Sequence, residues 1–194
     1  MLTANRFSGL LDKLDASPWG AASGRKVHMA QESIRGGLYT PEERVRRDAT
    51  PWTLVQGVLA PVQFLVFLVS LGLVLRYLAT GEGLGAATAS VVLKTLVLYT
   101  IMITGCIWEK EVFGKYLFAP AFYWEDMFSM LVLALHTAYL GAVFAGIGDG
   151  YGQMLLALAA YAAYVVNATQ FVLKLRAARL QEARMTAMGG MRSA

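Results

Sequence analysis

Four long apolar segments limit what this chain can fold into. They lie near residues 52–77, 86–108, 124–146 and 152–174. Each is long enough to cross a membrane, because about 20 helical residues span a hydrocarbon core about 30 Å thick. Backbone groups in lipid must hydrogen-bond within their own segment, so each predicted span is an α-helix. We therefore expect an all-α fold, an integral membrane four-helix bundle.

Three breaks between the spans suggest the domain organisation. They are a Gly-Glu-Gly turn at 81–83, an aromatic connector, and a glycine-rich turn at 146–150. We expect a four-helix domain over residues 39–180, a polar N-terminal extension over 1–38 and a C-terminal tail over 181–194. The extension is either a frayed tail or includes a short amphipathic helix lying on the membrane; its apolar face would carry Phe7, Leu10, Leu11 and Leu14.

A helix start precedes the first span. In the run Thr40-Pro41-Glu42-Glu43, Thr40 is a predicted cap and Pro41 takes the first helical position. Three arginines follow directly, at 44, 46 and 47. The chain should thus enter the membrane from a helix with a basic end.

The distribution of charge predicts the orientation. Only 15% of the residues are charged, against roughly 25% in soluble domains. Lys and Arg concentrate before the first span and after the fourth, and two more lie in the connector between the second and third. Positive loops stay inside, so both termini and this connector should face the cytoplasm. One Cys and two His offer no metal-site spacing, so we expect no protein-bound metal.

Acids and aromatics are concentrated in that connector. Residues 108–126 read WEKEVFGKYLFAPAFYWED, with Glu109 ending the second span and Glu125 and Asp126 opening the third. These acids are our candidate catalytic residues, Glu109 and Glu125 first and Asp126 third. The aromatic side chains either bind a flat ligand or form an interfacial belt; they are Trp108, Tyr116, Phe122, Tyr123 and Trp124.

Polar residues inside the spans fall into two layers. Because such residues are costly in a membrane, each is a functional candidate. Gln56, Asn167 and Gln170 lie at the depth of the acids and either contact a ligand or join helices. Lys94 and His136 lie in the outer half. We expect Lys94 to extend towards the outer interface. His136, which shares a helix face with Glu125, is either a packing residue or a ligand of a pigment magnesium.

Several long runs resemble a known family, the 3-vinyl bacteriochlorophyllide hydratases of bacteriochlorophyll synthesis (2-vinyl in the older naming). The resemblance covers residues 39–180 without departure from the family pattern. It rests on four runs: YTPEERVRRDATPWTLVQGVLAPVQFLVFLVSLGLVLRYLATGEG, ASVVLKTLVLY, WEKEVFGKYLFAPAFYWEDMFSMLVLALHTAYL and VNATQFVLKLRAARL.

The resemblance implies a reaction and a place for it. Water would add across the C3 vinyl group of chlorophyllide a or 3-vinyl bacteriochlorophyllide a, giving a 3-(1-hydroxyethyl) group. This is hydro-lyase chemistry without a cofactor, since the magnesium belongs to the substrate. The partners would be the pigment, water, membrane lipid and neighbouring enzymes of the pathway. Nucleic acid would not be a partner. The location would be a bacterial cytoplasmic or intracytoplasmic photosynthetic membrane, with the active site towards the cytoplasmic leaflet.

The acids suit such a reaction. Hydration of a conjugated vinyl group starts with a proton, so it needs a general acid and a group that orients water. Burial raises the pKa of a carboxyl group, and a second nearby carboxyl raises it further. Glu109 and Glu125 would supply the acid and the base, in an order that the sequence leaves open. The substrate's propionate would lie near Lys110, Lys115 or Arg47.

Two other classes of protein fit the same residues. A non-enzymatic pigment carrier or assembly factor would need the aromatics and His136 but not the acids. A small proton channel would use Lys94, His136 and the acids as a relay, and would give the aromatic connector no purpose. The residues alone leave enzyme and pigment binder about level, and the resemblance favours the enzyme.

Overall fold

The described part of the chain is helical throughout its regular structure. The computed structural model describes the backbone of residues 38–192 and the side chains of residues 38–180 and 183. The amphipathic helix predicted near residues 7–14 lies outside the described residues. Within them the helices are α1 (Pro41–Ala49), α2 (Pro51–Thr80), α3 (Leu84–Phe113), α4 (Tyr123–Phe144) and α5 (Gly150–Arg192). Residues 181–192, predicted as a separate tail, continue α5.

Pro41 and Pro51 determine where the first two helices begin. Pro41 is the first residue of α1, as the sequence predicts. Pro51 is the first residue of α2 and follows Thr50, whose side chain accepts a hydrogen bond from the backbone N–H of Trp52 at 3.4 Å. A proline lacks the N–H that would continue α1 and disfavours helical geometry in the residue before it. Arg46 then joins α1 to α3, because its Nε donates to the carbonyl of Val112 at 2.9 Å.

Four helices can cross a membrane. They are α2, α3, α4 and the part of α5 from Gly150 to Leu180, which confirms the predicted all-α fold with four spans. Their outward faces are apolar: Leu65, Val69 and Phe144 are 61%, 66% and 79% exposed. Buried polar side chains lie on the inner faces, among them Lys94 and His136. A hydrocarbon environment favours apolar side chains on the outside and polar ones on the inside, because it solvates apolar side chains and not charged ones.

The bundle consists of two antiparallel hairpins. The first pairs α2 with α3 through a tight turn, in which Gly81 and Gly83 have left-handed φ values of 74° and 85° that favour glycine. The second pairs α4 with α5. Contacts within each hairpin are much more extensive than those between hairpins, where α2 meets α5 and α3 meets α4 and α5.

Aromatic rings fill the space between the hairpins. Phe67 of α2 packs edge-on against Tyr161 of α5, with ring centroids 5.3 Å apart, and lies 4.9 Å from the ring of Tyr164. Ala157 and Ala160 on α5 are completely buried, because their small side chains allow neighbouring helices to approach closely. The centre of the interface between the hairpins is therefore lined by aromatic rings.

An aspartate on the lipid-facing surface should oppose insertion. We expect Val69→Asp to cost about 2.5–3.5 kcal/mol of insertion free energy and to lower the fraction of chain that resists alkaline extraction from membranes. Val45→Asp is the matched control, since Val45 is 69% exposed but lies on α1 before the spans. Equal extraction of both variants would contradict a lipid-facing position for Val69.

Candidate active site

Two buried carboxyl groups meet where α3 ends and α4 begins. Glu109 and Asp126 are only 4% and 7% exposed, and their side chains lie close enough to interact. Two ionised carboxylates this close in a site shielded from water would repel each other. The arrangement therefore favours a proton on one member of the pair.

The aromatic connector folds back over this pair. Gly114, with a φ of 78°, ends α3 by donating its N–H to the carbonyl of Lys110 at 3.0 Å. The N–H of Phe118 then donates to Asp126 Oδ2 at 2.8 Å, and the N–H of Ala119 to Glu109 Oε1 at 3.0 Å. Two successive backbone donors thus bind the two acids.

The backbone at Phe118 is strained. Its φ of 58° is the one positive value among the described non-glycine residues. A bulky side chain rarely adopts this conformation, and such outliers cluster at functional sites. Here the conformation allows consecutive N–H groups to reach Asp126 and Glu109.

A cluster of four rings lies at the end of the bundle where α3 ends and α4 begins. Phe122, 3% exposed, lies at its centre, with ring centroids 5.8 Å from those of Trp108, Phe113 and Phe171. The indole Nε1 of Trp108 donates to Thr53 Oγ1 at 2.9 Å, which fixes the ring against α2. Of the aromatic residues predicted to bind a ligand, Trp108 and Phe122 belong to this cluster.

The other three predicted aromatics point away from them. Tyr116, Tyr123 and Trp124 are 62%, 46% and 68% exposed. The ring of Tyr123 lies 5.7 Å from that of Phe118 and 5.7 Å from that of Trp124. Their exposed position beside the ends of the spans is typical of an interfacial aromatic belt.

Glu125 has a different partner from the one expected. Its Oε2 accepts a hydrogen bond from Lys174 Nζ at 2.6 Å, and that ammonium lies 5.0 Å from the ring centroid of Phe122. The carboxyl pair is therefore Glu109 with Asp126, while Glu125 forms an ion pair with α5. The sequence carries no local signal for this contact, because 49 positions separate its two residues.

The polar residues predicted at the depth of the acids mostly hydrogen-bond one helix to another. Gln56 Nε2 donates to Thr104 Oγ1 at 2.7 Å and links α2 to α3. Asn167 Nδ2 donates to Ser129 Oγ at 2.9 Å and links α5 to α4. Among the described residues, Asn167 Oδ1 and Gln170 Oε1 are buried without a hydrogen-bond partner, so each has an acceptor atom available to a ligand.

His136 is completely buried and presents a free lone pair. Its Nδ1 lies 2.8 Å from the carbonyl oxygen of Val132. A carbonyl only accepts, so Nδ1 carries the proton and the neutral ring has its lone pair on Nε2. No described residue hydrogen-bonds to Nε2. This atom could bind a metal or accept a proton.

Lys94 does not extend to the outer interface, so that expectation is wrong. It is 0% exposed, with Nζ 4.0 Å from the ring centroid of Tyr164. The reason is its place on the face of α3 that packs against the other helices, together with Val91 and Leu98. Lys94 is also close enough to His136 for their charges to interact.

The buried acidic and basic side chains of the spans thus lie at two depths. The acid pair lies under the connector, and Lys94 and His136, here called the interior pair, lie deeper in the bundle. Ten positions separate Asp126 from His136 along α4, which is about 15 Å of helix. Ser129 and its partner Asn167 lie between them.

The fold and site define a multi-pass α-helical membrane protein with a buried carboxyl pair at one end of the bundle and a polar interior. Residues 39–177 match a family model described as 2-vinyl bacteriochlorophyllide hydratase (BCHF). The chain belongs to this family, and the resemblance read from its sequence is confirmed.

Two curated relatives support the assignment. A protein of Rhodobacter capsulatus named 2-vinyl bacteriochlorophyllide hydratase is 68% identical over 153 residues, which are 79% of this chain and 89% of the relative. A protein of the same name from Cereibacter sphaeroides is 71% identical over 143 residues, which are 74% of this chain and 89% of the relative. No solved structure gives a significant match.

Removing the acceptor for the connector should destabilise the bundle. We expect Glu109→Ala to lower the free energy of unfolding by about 1–3 kcal/mol, because the N–H of Ala119 is then buried without a partner. Glu109→Gln keeps an acceptor oxygen and should cost less. The measurement is an SDS unfolding titration in mixed micelles.

The exposed Glu82 supplies the control for this comparison. Glu82→Ala should change the free energy of unfolding by less than about 0.5 kcal/mol. If the alanine and glutamine variants of Glu109 proved equally unstable, the hydrogen bond to the connector would not be the stabilising contact.

Proposed function

We propose that this chain adds water to the C3 vinyl group of chlorophyllide a or 3-vinyl bacteriochlorophyllide a, giving the 3-(1-hydroxyethyl) product. Its family makes it a hydro-lyase of bacteriochlorophyll biosynthesis. The observation that carries the proposed chemistry is the buried, closely spaced carboxyl pair of Glu109 and Asp126. Hydration of a vinyl group begins with proton transfer, and such a pair can hold and deliver a proton.

The reaction divides into two steps. A proton is transferred to the terminal vinyl carbon, and a cation develops on the carbon attached to the ring, where the macrocycle delocalises it. The oxygen of water then bonds to that carbon, and the water loses a proton. The sum is addition of one water molecule, with no change in electron count.

The acid pair can serve both steps. One carboxyl of Glu109 and Asp126 donates the proton that the pair holds, and the pair then carries a negative charge that stabilises the cation in a site of low dielectric. The proton released by water returns to the pair. The Glu125–Lys174 ion pair acts on the charge of Asp126 from the same helical turn, so Glu125 tunes the acid pair.

The interface between the hairpins is the proposed substrate site. It has fewer contacts than the interior of either hairpin, and its aromatic rings offer flat surfaces for a macrocycle. His136 Nε2 is the proposed axial ligand of the substrate magnesium. A metal-binding histidine usually donates its other N–H to an oxygen acceptor, as His136 Nδ1 does to Val132.

A substrate held by His136 can direct its vinyl group towards the acids. The vinyl group would then lie near Ser129 and Asn167, one turn from Asp126 along α4. The free Oδ1 of Asn167 is placed to accept a hydrogen bond from the attacking water, and Gln170 extends this polar surface towards the connector. Trp108 and Phe122 close the end of the site, while Gln56 holds α2 against α3 beside it.

The proposed orientation puts both termini and the connector in the cytoplasm. It rests on the Lys and Arg residues at the ends of the chain and in the connector. The acid pair then lies in the cytoplasmic leaflet of the bacterial photosynthetic membrane, within reach of pigment from neighbouring enzymes. Tyr116, Tyr123 and Trp124 would line the entrance at the headgroup level.

The catalytic proposal predicts a large loss of turnover in two variants. Glu109→Gln and Asp126→Asn keep acceptors for the connector but remove the transferable proton, and each should lower kcat by about 10²–10⁴-fold. Glu125→Gln should have a smaller effect, and Glu82→Gln none. Turnover is measured in membranes supplied with chlorophyllide a, by chromatography and mass, with 18-oxygen water as the label.

Two results would count against this function. Near wild-type turnover in both amide variants would remove the acid pair from the mechanism. Pigment that is bound by the wild-type protein but recovered unchanged, while a known hydratase is active alongside, would favour the carrier function.

The magnesium proposal has its own measurement. Wild-type protein should bind chlorophyllide a more tightly than its magnesium-free form, pheophorbide a. His136→Ala should abolish this preference by weakening only the magnesium pigment, and added imidazole should restore it in part. Absorbance titration measures both affinities, and a preference that survives in His136→Ala would assign the axial ligand elsewhere.

A further inference from the structure

Lys94 is a buried amine without an acidic partner among the described residues. It lies in the middle of α3 with no exposed surface, and Nζ has no hydrogen-bond partner among the described residues. The ring of Tyr164, 4.0 Å from Nζ, compensates part of the lost hydration. A lone ammonium buried in a membrane protein is nevertheless costly, and such a residue is expected to have a function.

No described acid lies where it could neutralise Lys94. The helices around it contribute His136 from α4 and Tyr164 from α5, together with Phe67 of α2, whose ring contacts Tyr164. The buried acid on the same helix, Glu109, is fifteen positions away, about 22 Å along α3. The interior pair therefore offers one donor cation and one metal-binding lone pair and has no anion of its own.

We propose that Lys94 binds the free propionate carboxylate of the pigment substrate and so selects the unesterified pigment. This inference rests on the proposed function. A chlorophyllide carries one free carboxylate, and the corresponding ester carries none. An ammonium and a carboxylate that enter the bundle interior as a hydrogen-bonded pair neutralise each other, whereas either one alone would remain uncompensated.

The depth of Lys94 agrees with the direction required by the reaction. The propionate and the C3 vinyl group are carried by different, neighbouring pyrrole rings, so they occupy different positions on the rim of the macrocycle. With the magnesium on His136 and the carboxylate at Lys94, which lies farther from the acid pair along the bundle, the vinyl group is left on the side of Asn167 and the acids. A carboxylate at Lys110, which is exposed and bonds to the carbonyl of Gly114 at 3.0 Å, would instead turn the vinyl group away from the acids.

The test compares the acid and the ester of one pigment. Chlorophyllide a and its methyl ester are titrated into the full-length protein in nanodiscs, with pigment absorbance as the readout. Wild type should bind the acid about 30-fold or more tightly than the ester, since losing one partner of a buried charge pair has at least this effect. Lys94→Met should lose this preference through weaker binding of the acid, with unchanged binding of the ester.

Unchanged ester affinity also shows that Lys94→Met remains folded. Lys110→Met is the matched control and should keep the preference for the acid. Equal binding of acid and ester by wild type would overturn the proposal. So would a preference that survives in Lys94→Met but disappears in Lys110→Met, because the carboxylate would then lie at the membrane surface.

The proposed function fails in a different way. If wild-type protein bound the acid selectively through Lys94 but left the vinyl group unchanged, the carboxylate site would stand and the hydratase reaction would not. If wild-type protein bound neither pigment, both proposals would be wrong.

Discussion

The hydrogen bonds from the connector to the buried carboxyl pair join the two hairpins at the end where chemistry is proposed. Glu109 belongs to the first hairpin and Asp126 to the second, and the successive N–H groups of Phe118 and Ala119 bind one acid each. The position of the connector over the acids depends on this arrangement. A carboxyl that leaves the pair gives up its hydrogen bond to the connector.

Hydrophobicity predicted the helices because a membrane permits few alternatives. The four spans and the depth of Glu109 and Asp126 follow from segment length and from the requirement that backbone groups bond internally. The choice between Glu125 and Asp126 does not follow. Adjacent residues on a helix point about 100° apart. The rotation of α4 about its axis therefore decides which of the two acids faces Glu109, and the depth of a residue in the membrane does not determine that rotation. The left-handed Phe118 fixes that choice through the connector, and such a conformation in a phenylalanine has no sequence signature.

The expectation that Lys94 extends to the outer interface is wrong for a related reason. The rule that lysine extends to the interface describes side chains on a lipid-facing surface. On α3, however, Lys94 shares a face with Val91 and Leu98, and all three point into the bundle. An apolar helix with almost uniform hydrophobicity around its circumference does not reveal which face is inward. The contact of Glu125 with Lys174 was hidden by distance in the chain, whereas the burial of His136 agrees with the shared face of α4 that its spacing predicts.

Two depths of polar groups suit a rigid, flat substrate better than a single cluster would. A site with all its polar groups at the connector could bind the edge of a macrocycle but could not control its rotation. Contacts at the magnesium and at the propionate would fix the ring at two points, and the vinyl group would then be held towards the acid pair. Each contact has a cost in the protein without pigment, since among the described residues His136 Nε2 and Lys94 Nζ are buried without a hydrogen-bond partner. Residues that violate local rules of stability are commonly those with a function, and under the proposal the substrate would supply a partner for each of these two atoms.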